Sequence, residues 1–402
     1  MAELVPGARL SAGDGVDPDF FGYRDLLDDD DRKLLAGLRE WLETNLAPIV
    51  DDYWSRAEFP SQLVASLAEL DVMGLSLDLP DRPARSRLLG GFVGLEFARI
   101  DASFASFYGV HSGLAMGTIA QCGSDEQRER WLPAMRRLEL IGAFGLTEPH
   151  GGSDVAGGLE TTARRDGDDW VIDGAKRWIG NGTFADLVMV WARDVADDEV
   201  KCFVVEKGMP GFTAAKMEGK VALRITQNAD LTFDGVRVPE ANRLQNANSF
   251  HDTNSVLRAT RGSVAWSAVG VQTGVFEVAA QYARDREQFG RPIGGFQLIQ
   301  AHLAGILGNL TASLGMAVRG AQLQDDGVFE DAQGALAKSF CTTRLRESVA
   351  WARELMGGNG IVLEYGMARY FNDAEALYSY EGTREINSLI VGRAITGESA
   401  FT

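Results

Sequence analysis

Four short stretches carry the residue types that chemistry needs. Near the C-terminus, YSYEGTREI (residues 378–386) sets one carboxylate, Glu381, between Tyr380 and Gly382, apart from the charges of a solvated helix face. A Glu before a Gly also ends a helix with a glycine cap, and the stretch alone leaves both readings open. GAFGLTEPHGGSDVAG (142–157) offers Thr147, Gly151, Gly152 and Ser153, whose N–H groups and hydroxyls suit a polar ligand edge or a phosphate; an ordinary connecting loop has the same look. KRWIGNG (176–182) puts Trp178 before a turn, where its ring either joins a core or stacks on a ligand. RDREQFGRPIGGFQLIQ (284–300) combines Arg286, an anion partner, with Phe289 and Gln297. The four histidines have no metal-ligand spacing, and no serine-nucleophile elbow, phosphate loop or HExxH helix is present. For acid or base work a carboxylate is therefore the better candidate. GGNGIV (357–362) follows a helix rather than a strand, so it is not a dinucleotide-binding glycine loop.

These residues need elements to hold them. Residues 20–140 repeat apolar positions at helical spacing, as in LLAGLREWLETNL and LLGGFVGLEFARI. From 141 to 242 apolar residues alternate in short β-branched and aromatic runs, with Asp-Gly dipeptides at 166, 173 and 234 read as turns. From 243 to 402 long runs with a single proline, Pro292, read as helices of a bundle. The order is an N-terminal helical domain, a middle β domain and a C-terminal helical bundle, of class α+β. The acidic run Asp25–Asp31 is expected to supply the negative start of a helix. A net charge of −18 argues against a nucleic-acid partner. Three scattered cysteines fit a reducing compartment. The N-terminal segment has neither a basic start nor an apolar core, and no stretch is long and apolar enough to span a bilayer, so a cytoplasmic protein without a membrane partner is expected.

In order and spacing the four stretches resemble the acyl-CoA dehydrogenase family of flavoproteins. LTEPHGGSD and YARDREQFGRPIGGFQ match its two signatures, and ELMGGNGI and YEGTREINSLIVGRAITG match its flavin-contacting and base-bearing segments. The resemblance runs from about residue 20 to the end and implies the family's fold: a helical domain, a β-barrel-like domain and a four-helix bundle. It implies an FAD-dependent oxidoreductase of fatty acid metabolism, in which Glu381 takes the α-proton of an acyl-CoA while the β-hydrogen leaves as hydride to flavin N5, giving a trans-2-enoyl-CoA. An aromatic neighbour and bound flavin would desolvate Glu381 and raise its pKa. The thioester oxygen would be held by the Glu381 N–H and a ribityl hydroxyl, with Gly382 leaving room for it. By the same resemblance Phe144, Leu146, Thr147, Gly152 and Ser153 line the isoalloxazine, with Trp178 and Gly180 on its other side, and Thr383 and Glu385 follow the base. Ser153 also faces substrate. Most members carry Thr where this chain has Gly180. Arg286, Phe289 and Gln297, with Glu354, Gly357 and Gly358, match residues that hold the other half of FAD across a subunit boundary, which implies a homotetramer or at least a dimer. Arg261 matches an arginine near the CoA moiety; a salt bridge inside the bundle is its structural alternative. No metal is implied.

Within the family the likeness leans to glutaryl-CoA dehydrogenase and to short-chain acyl-CoA oxidases. Glutaryl-CoA enzymes hold the distal carboxylate with an arginine where this chain has Ala105, and a buried carboxylate without a cation is costly. The expectation is an uncharged short or medium acyl chain without decarboxylation, with an electron-transfer flavoprotein as acceptor. Oxidase activity towards O2 and a carrier-protein thioester remain open at this point, and the intact YEGT disfavours a non-enzymatic acyl-CoA-binding protein.

Overall fold

The computed structural model describes residues 10–11 and 15–400. Twelve α-helices are named here: α1 Asp29–Trp41, α2 Val50–Arg56, α3 Val64–Ala68, α4 Arg87–Ile100, α5 Ala102–Tyr108, α6 Met116–Cys122, α7 Asp125–Arg136, α8 Phe250–Asp285, α9 Gln297–Asp325, α10 Asp331–Leu355, α11 Met367–Ser379 and α12 Arg384–Thr396. The acidic run starts a helix as expected: the Asp28 side chain accepts from Asp31 N at 2.8 Å, and Asp29, Asp30 and Asp31 fill the first turn of α1. A π-helical turn, Gly109–Ala115, joins α5 to α6.

The middle domain is a seven-stranded sheet of β1 Gly142–Gly145, β2 Thr162–Asp166, β3 Asp169–Ile179, β4 Leu187–Asp194, β5 Val200–Glu206, β6 Phe212–Lys216 and β7 Ala229–Pro239. The order is β1-β4-β2-β3-β7-β6, with β5 pairing antiparallel to β4. β1 and β2 run parallel to β4 at successive stretches, Gly142 opposite Leu187 and Thr162 opposite Arg193. Side chains of β4 alternate between two cores: Val188, Val190 and Ala192 face the sheet interior, while Leu187, Met189 and Trp191 join the helical core. That double burial docks the sheet on the helices.

Two of the three Asp-Gly dipeptides read as turns are not turns. Asp166-Gly167 does connect β2 to β3, but Asp173-Gly174 lies inside β3 and Asp234-Gly235 inside β7. They meet at a register shift between Ile172 and Gly174, where Gly235 N donates to Asp173 Oδ1 at 2.7 Å. Glycine's tolerance of positive φ serves a bulge as well as a hairpin, so the dipeptide does not tell them apart. The membrane expectation also needs correction: by length and composition α9 is apolar enough to cross a bilayer. Its polar residues are mostly uncharged. It packs beside α8 and α10, where Gln272 Nε2 donates to Ser313 Oγ at 3.2 Å and Asn309 Nδ2 to Glu347 Oε2 at 3.0 Å.

Helix α11 ties the three domains together just before the YEGT turn. Trp54 Nε1 and Leu223 N donate to Asp373 Oδ1 at 3.0 and 2.7 Å, and Arg369 Nη1 donates to Asp101 Oδ2 at 3.0 Å. Where α8 crosses α4, a Cβ on Gly270 would stand 2.3 Å from Leu95 O. Only glycine permits that approach.

Candidate active site

The YEGT turn joins α11 to α12. Glu381 has φ 54° and Gly382 φ 83°, so a bulky residue is held in left-handed backbone ahead of a glycine. Such strain persists only where the surroundings impose it. The stretch is a helix boundary but not a glycine-capped one: α11 ends at Tyr380 in extended backbone, the left-handed residue after it is Glu381 itself, and Thr383 Oγ1 accepts from Ile386 N at 3.3 Å to cap α12. Glu381 keeps part of its surface open to solvent while its carboxyl is packed against protein. Burial raises its pKa above the usual carboxylate range; Arg261, Lys338 and the Thr260 hydroxyl pull the other way.

The ring beside it is fixed as well. Burial pushes the Tyr380 hydroxyl above the ordinary phenol range, and Ser106 of α5 is its hydrogen-bonding neighbour. Four residues on, Val110 in the π-helical turn reaches the segment that carries Trp178: a Cβ on Gly180 would lie 3.0 Å from Val110 Cγ2. Gly113 of the same turn faces Thr260 of α8. The α5 and π-turn segment therefore bridges the base turn and the Trp178 strand. Insertions of this kind often mark functional sites. His111, in the same turn, is neutral, with burial pushing its pKa down to about 4. Its Nδ1 accepts from Gly142 N at 3.0 Å and its Nε2 contacts Met135 O at 2.9 Å, which locks α7 to the start of β1.

On the sheet side Phe144 and Leu146 are buried, Thr147 is half-buried, and Gly152 and Ser153 are exposed. Lys176 and Arg177 of β3 hold this segment from behind: Lys176 Nζ donates to Leu146 O at 3.2 Å and to Glu148 Oε1 at 2.7 Å, and Arg177 N donates to Thr147 O at 2.8 Å. The Lys176–Glu148 pair is fully enclosed, with side-chain exposures of 0% and 2%. Glu148 also accepts from Glu160 N and Thr161 N at 2.5 and 2.9 Å. Despite its own burial, Lys176 and these amides hold Glu148 below the usual carboxylate range. Trp178 does not join a core: it is 54% exposed, at φ 66°. A flat apolar side chain held outward in this way fits a planar ligand laid against the Leu146–Thr147 segment.

Arg286, Phe289, Gln297, Glu354, Gly357 and Gly358 form a second, separate group, all exposed, at the far end of the bundle. Phe289 is 94% exposed, at φ 55°, in a tight hairpin that pairs Glu287 with Pro292. Glu354 Oε1 lies 3.8 Å from His302 Nε2. Among the described residues no hydrogen bond or ion pair joins this group to the first. Arg261 adopts its structural alternative, an ion pair with Asp331, while its charge still acts on Glu381. Glu385 is exposed and pairs with Arg384 at 2.9 Å. Among the described residues no three His, Cys, Asp or Glu side chains gather as a metal site.

Sequence reasoning missed Ser106, Val110, Thr260 and Lys338. For Val110 a signal existed, because the family resemblance implies Thr where this chain has Gly180, and the missing side chain leaves a volume that another fills. For Lys338 it was a lone cation in the small-residue run GALAKSFC.

Comparison with known proteins gives three adjoining matches: to the family model "Acyl-CoA dehydrogenase, N-terminal domain" over residues 28–139, to the middle domain over 143–236 and to the C-terminal domain over 250–396. The chain is 32% identical over 365 residues to an acyl-CoA dehydrogenase of Bacillus subtilis (strain 168), covering 90% of this chain and 96% of that one. It is 32% identical over 363 residues to the mitochondrial short-chain specific acyl-CoA dehydrogenase of Rattus norvegicus, covering 88% and 87%. The structure of a glutaryl-CoA dehydrogenase from Mycobacterium smegmatis in complex with FADH2 matches with a TM-score of 0.91 at 34% identity, over 96% of this chain and all of that one.

Proposed function

The chain belongs to the acyl-CoA dehydrogenase family, and from that premise we propose that it oxidises an uncharged short or medium acyl-CoA to the trans-2-enoyl-CoA, with Glu381 as the base. The observation that carries this reading is the half-buried Glu381 in left-handed backbone, its carboxyl raised above the ordinary range by burial. An α-proton beside a thioester is a weak acid, and a base of raised pKa is matched to it. The backbone N–H of Glu381 is the donor this chain offers to the thioester oxygen as negative charge develops there. Gly382 has no side chain to crowd that oxygen, and Thr383, already the cap of α12, keeps the turn short.

Bound FAD supplies the acceptor for the β-hydride. The outward Trp178, the Leu146–Thr147 segment held from behind by Lys176 and Arg177, and the exposed Gly152 and Ser153 would hold its ring system. The exposed Arg286, Phe289 and Gln297 would hold the pyrophosphate and adenine half of a neighbouring subunit's FAD, in a homotetramer. Electrons would pass to an electron-transfer flavoprotein.

The preference for an uncharged chain rests on α5, where Ala105 is buried and brings no cation, and a buried distal carboxylate without one would be costly. Anaerobic titration with a panel of saturated acyl-CoAs tests the reading: monocarboxyl substrates should bleach the flavin. Bleaching by none of them, or turnover of glutaryl-CoA to CO2 at a matching rate, would overturn it.

A further inference from the structure

Lys338 of α10 has no exposed surface, a rare state for so strongly hydrated a cation. Its Nζ donates to Tyr378 O at 2.9 Å and to Gly382 O at 2.6 Å. These two carbonyls bracket Glu381, one in the last turn of α11 and one directly after the base. Gly382 O also accepts from Asn387 Nδ2 at 2.9 Å, and the same amide donates to Thr383 O at 3.0 Å. The turn is thus gripped from below by two buried donors, one on α10 and one on α12. Nothing else in the reaction described above uses Lys338.

Its charge faces the base as well as the backbone. Burial pushes the Lys338 ammonium down to about 8, against the opposing pull of Glu381 and then Glu385, both of which favour its charged form. The groups facing the carboxyl of Glu381 are Thr260 and Arg261 from α8 and Lys338 from α10, with Tyr380 beside it; Glu385 of α12 faces Lys338. Arg261 is already paired with Asp331, whereas Lys338 spends its hydrogen bonds on carbonyls. Lys338 is therefore the cation whose charge no hydrogen-bonded carboxylate offsets.

We propose that Lys338 is the positioning residue of the base: its ammonium anchors the 378–382 turn through Tyr378 O and Gly382 O and keeps a positive charge beside Glu381. The electrostatic half rests on the reading of Glu381 as the base; the anchoring half does not. The test compares FAD-loaded wild type with K338M and K338R. Hydrogen exchange at residues 380–384 should be about tenfold faster in K338M, with exchange elsewhere in the bundle unchanged. Flavin reduction by acyl-CoA should slow on the order of 100-fold in K338M through misplacement of the base. Its acid limb should move to higher pH, because the nearby cation that favours the carboxylate is gone. K338R, which keeps the charge, should retain the wild-type limb and recover part of the rate. If K338M does not accumulate as holoenzyme, K338Q carries the same readouts. Unchanged exchange in the turn would overturn the anchoring. A slower reaction with an unmoved acid limb, equal in K338M and K338R, would overturn the electrostatic half. The exchange arm needs no substrate, so a wild-type protein that no acyl-CoA reduces contradicts the functional reading and leaves the anchoring decided on its own measurement.

Discussion

Replacing Lys176 with Met should do more damage than any surface substitution in the middle domain. Lys176 and Glu148 are both enclosed, 2.7 Å apart, and Lys176 also holds Leu146 O. Removing the cation leaves a buried carboxylate with two backbone amides as partners and no counter-charge, at a cost of about 3–5 kcal/mol. An exposed pair would cost less than about 1 kcal/mol. Adding Glu148→Gln should recover much of the loss, since the amide oxygen still accepts a backbone N–H and no charge is left unpaired. The assay is guanidinium unfolding of the wild type, both single variants and the double variant, with FAD content read from the same samples. K176M should also lose flavin more readily, because the Leu146–Thr147 segment is released from behind. A loss below about 1 kcal/mol in K176M, or a double variant as unstable as the single, would refute the reasoning.

Gly180→Thr should cost about 1–3 kcal/mol by overpacking against Val110 Cγ2, and Val110→Ala in the same chain should restore most of it in a thermal melt. Asp373, pushed up to about 7 mainly by burial and next by Asp101, binds its proton more tightly folded than unfolded. Its contribution is therefore fully present at acid pH and is lost as pH rises from about 4 to 7, so Asp373→Asn should flatten the pH dependence of unfolding in that window. The raised Glu381 should place the acid limb of flavin reduction above the ordinary carboxylate range, since only the ionised form takes a proton, and stopped-flow rates against pH would show it.

Much of this was legible in the sequence, for identifiable reasons. Helical spacing in LLGGFVGLEFARI and the acidic start of α1 are local signals, and local structure obeyed them. The family resemblance placed Glu381, Trp178 and Arg286 in three different segments, and the structure holds the first in a strained turn and exposes the other two. What escaped depends on partners distant in the chain. Asp173-Gly174 and Asp234-Gly235 look like two turns until they are found opposite one another across two strands. Lys338 looks like any helix lysine until the carbonyls of Tyr378 and Gly382, 40 and 44 residues further along the chain, are seen above it. Val110 matters only because Gly180 has no side chain. No periodicity reports such pairings.

The most direct measurement is anaerobic, single-turnover reduction of the bound flavin by a saturated acyl-CoA in wild type and Glu381→Gln at equal FAD content. With Glu381 as the base, the amide should bind substrate and slow reduction by about 10²–10⁴-fold. Reduction by Glu381→Gln within about tenfold of wild type would contradict it.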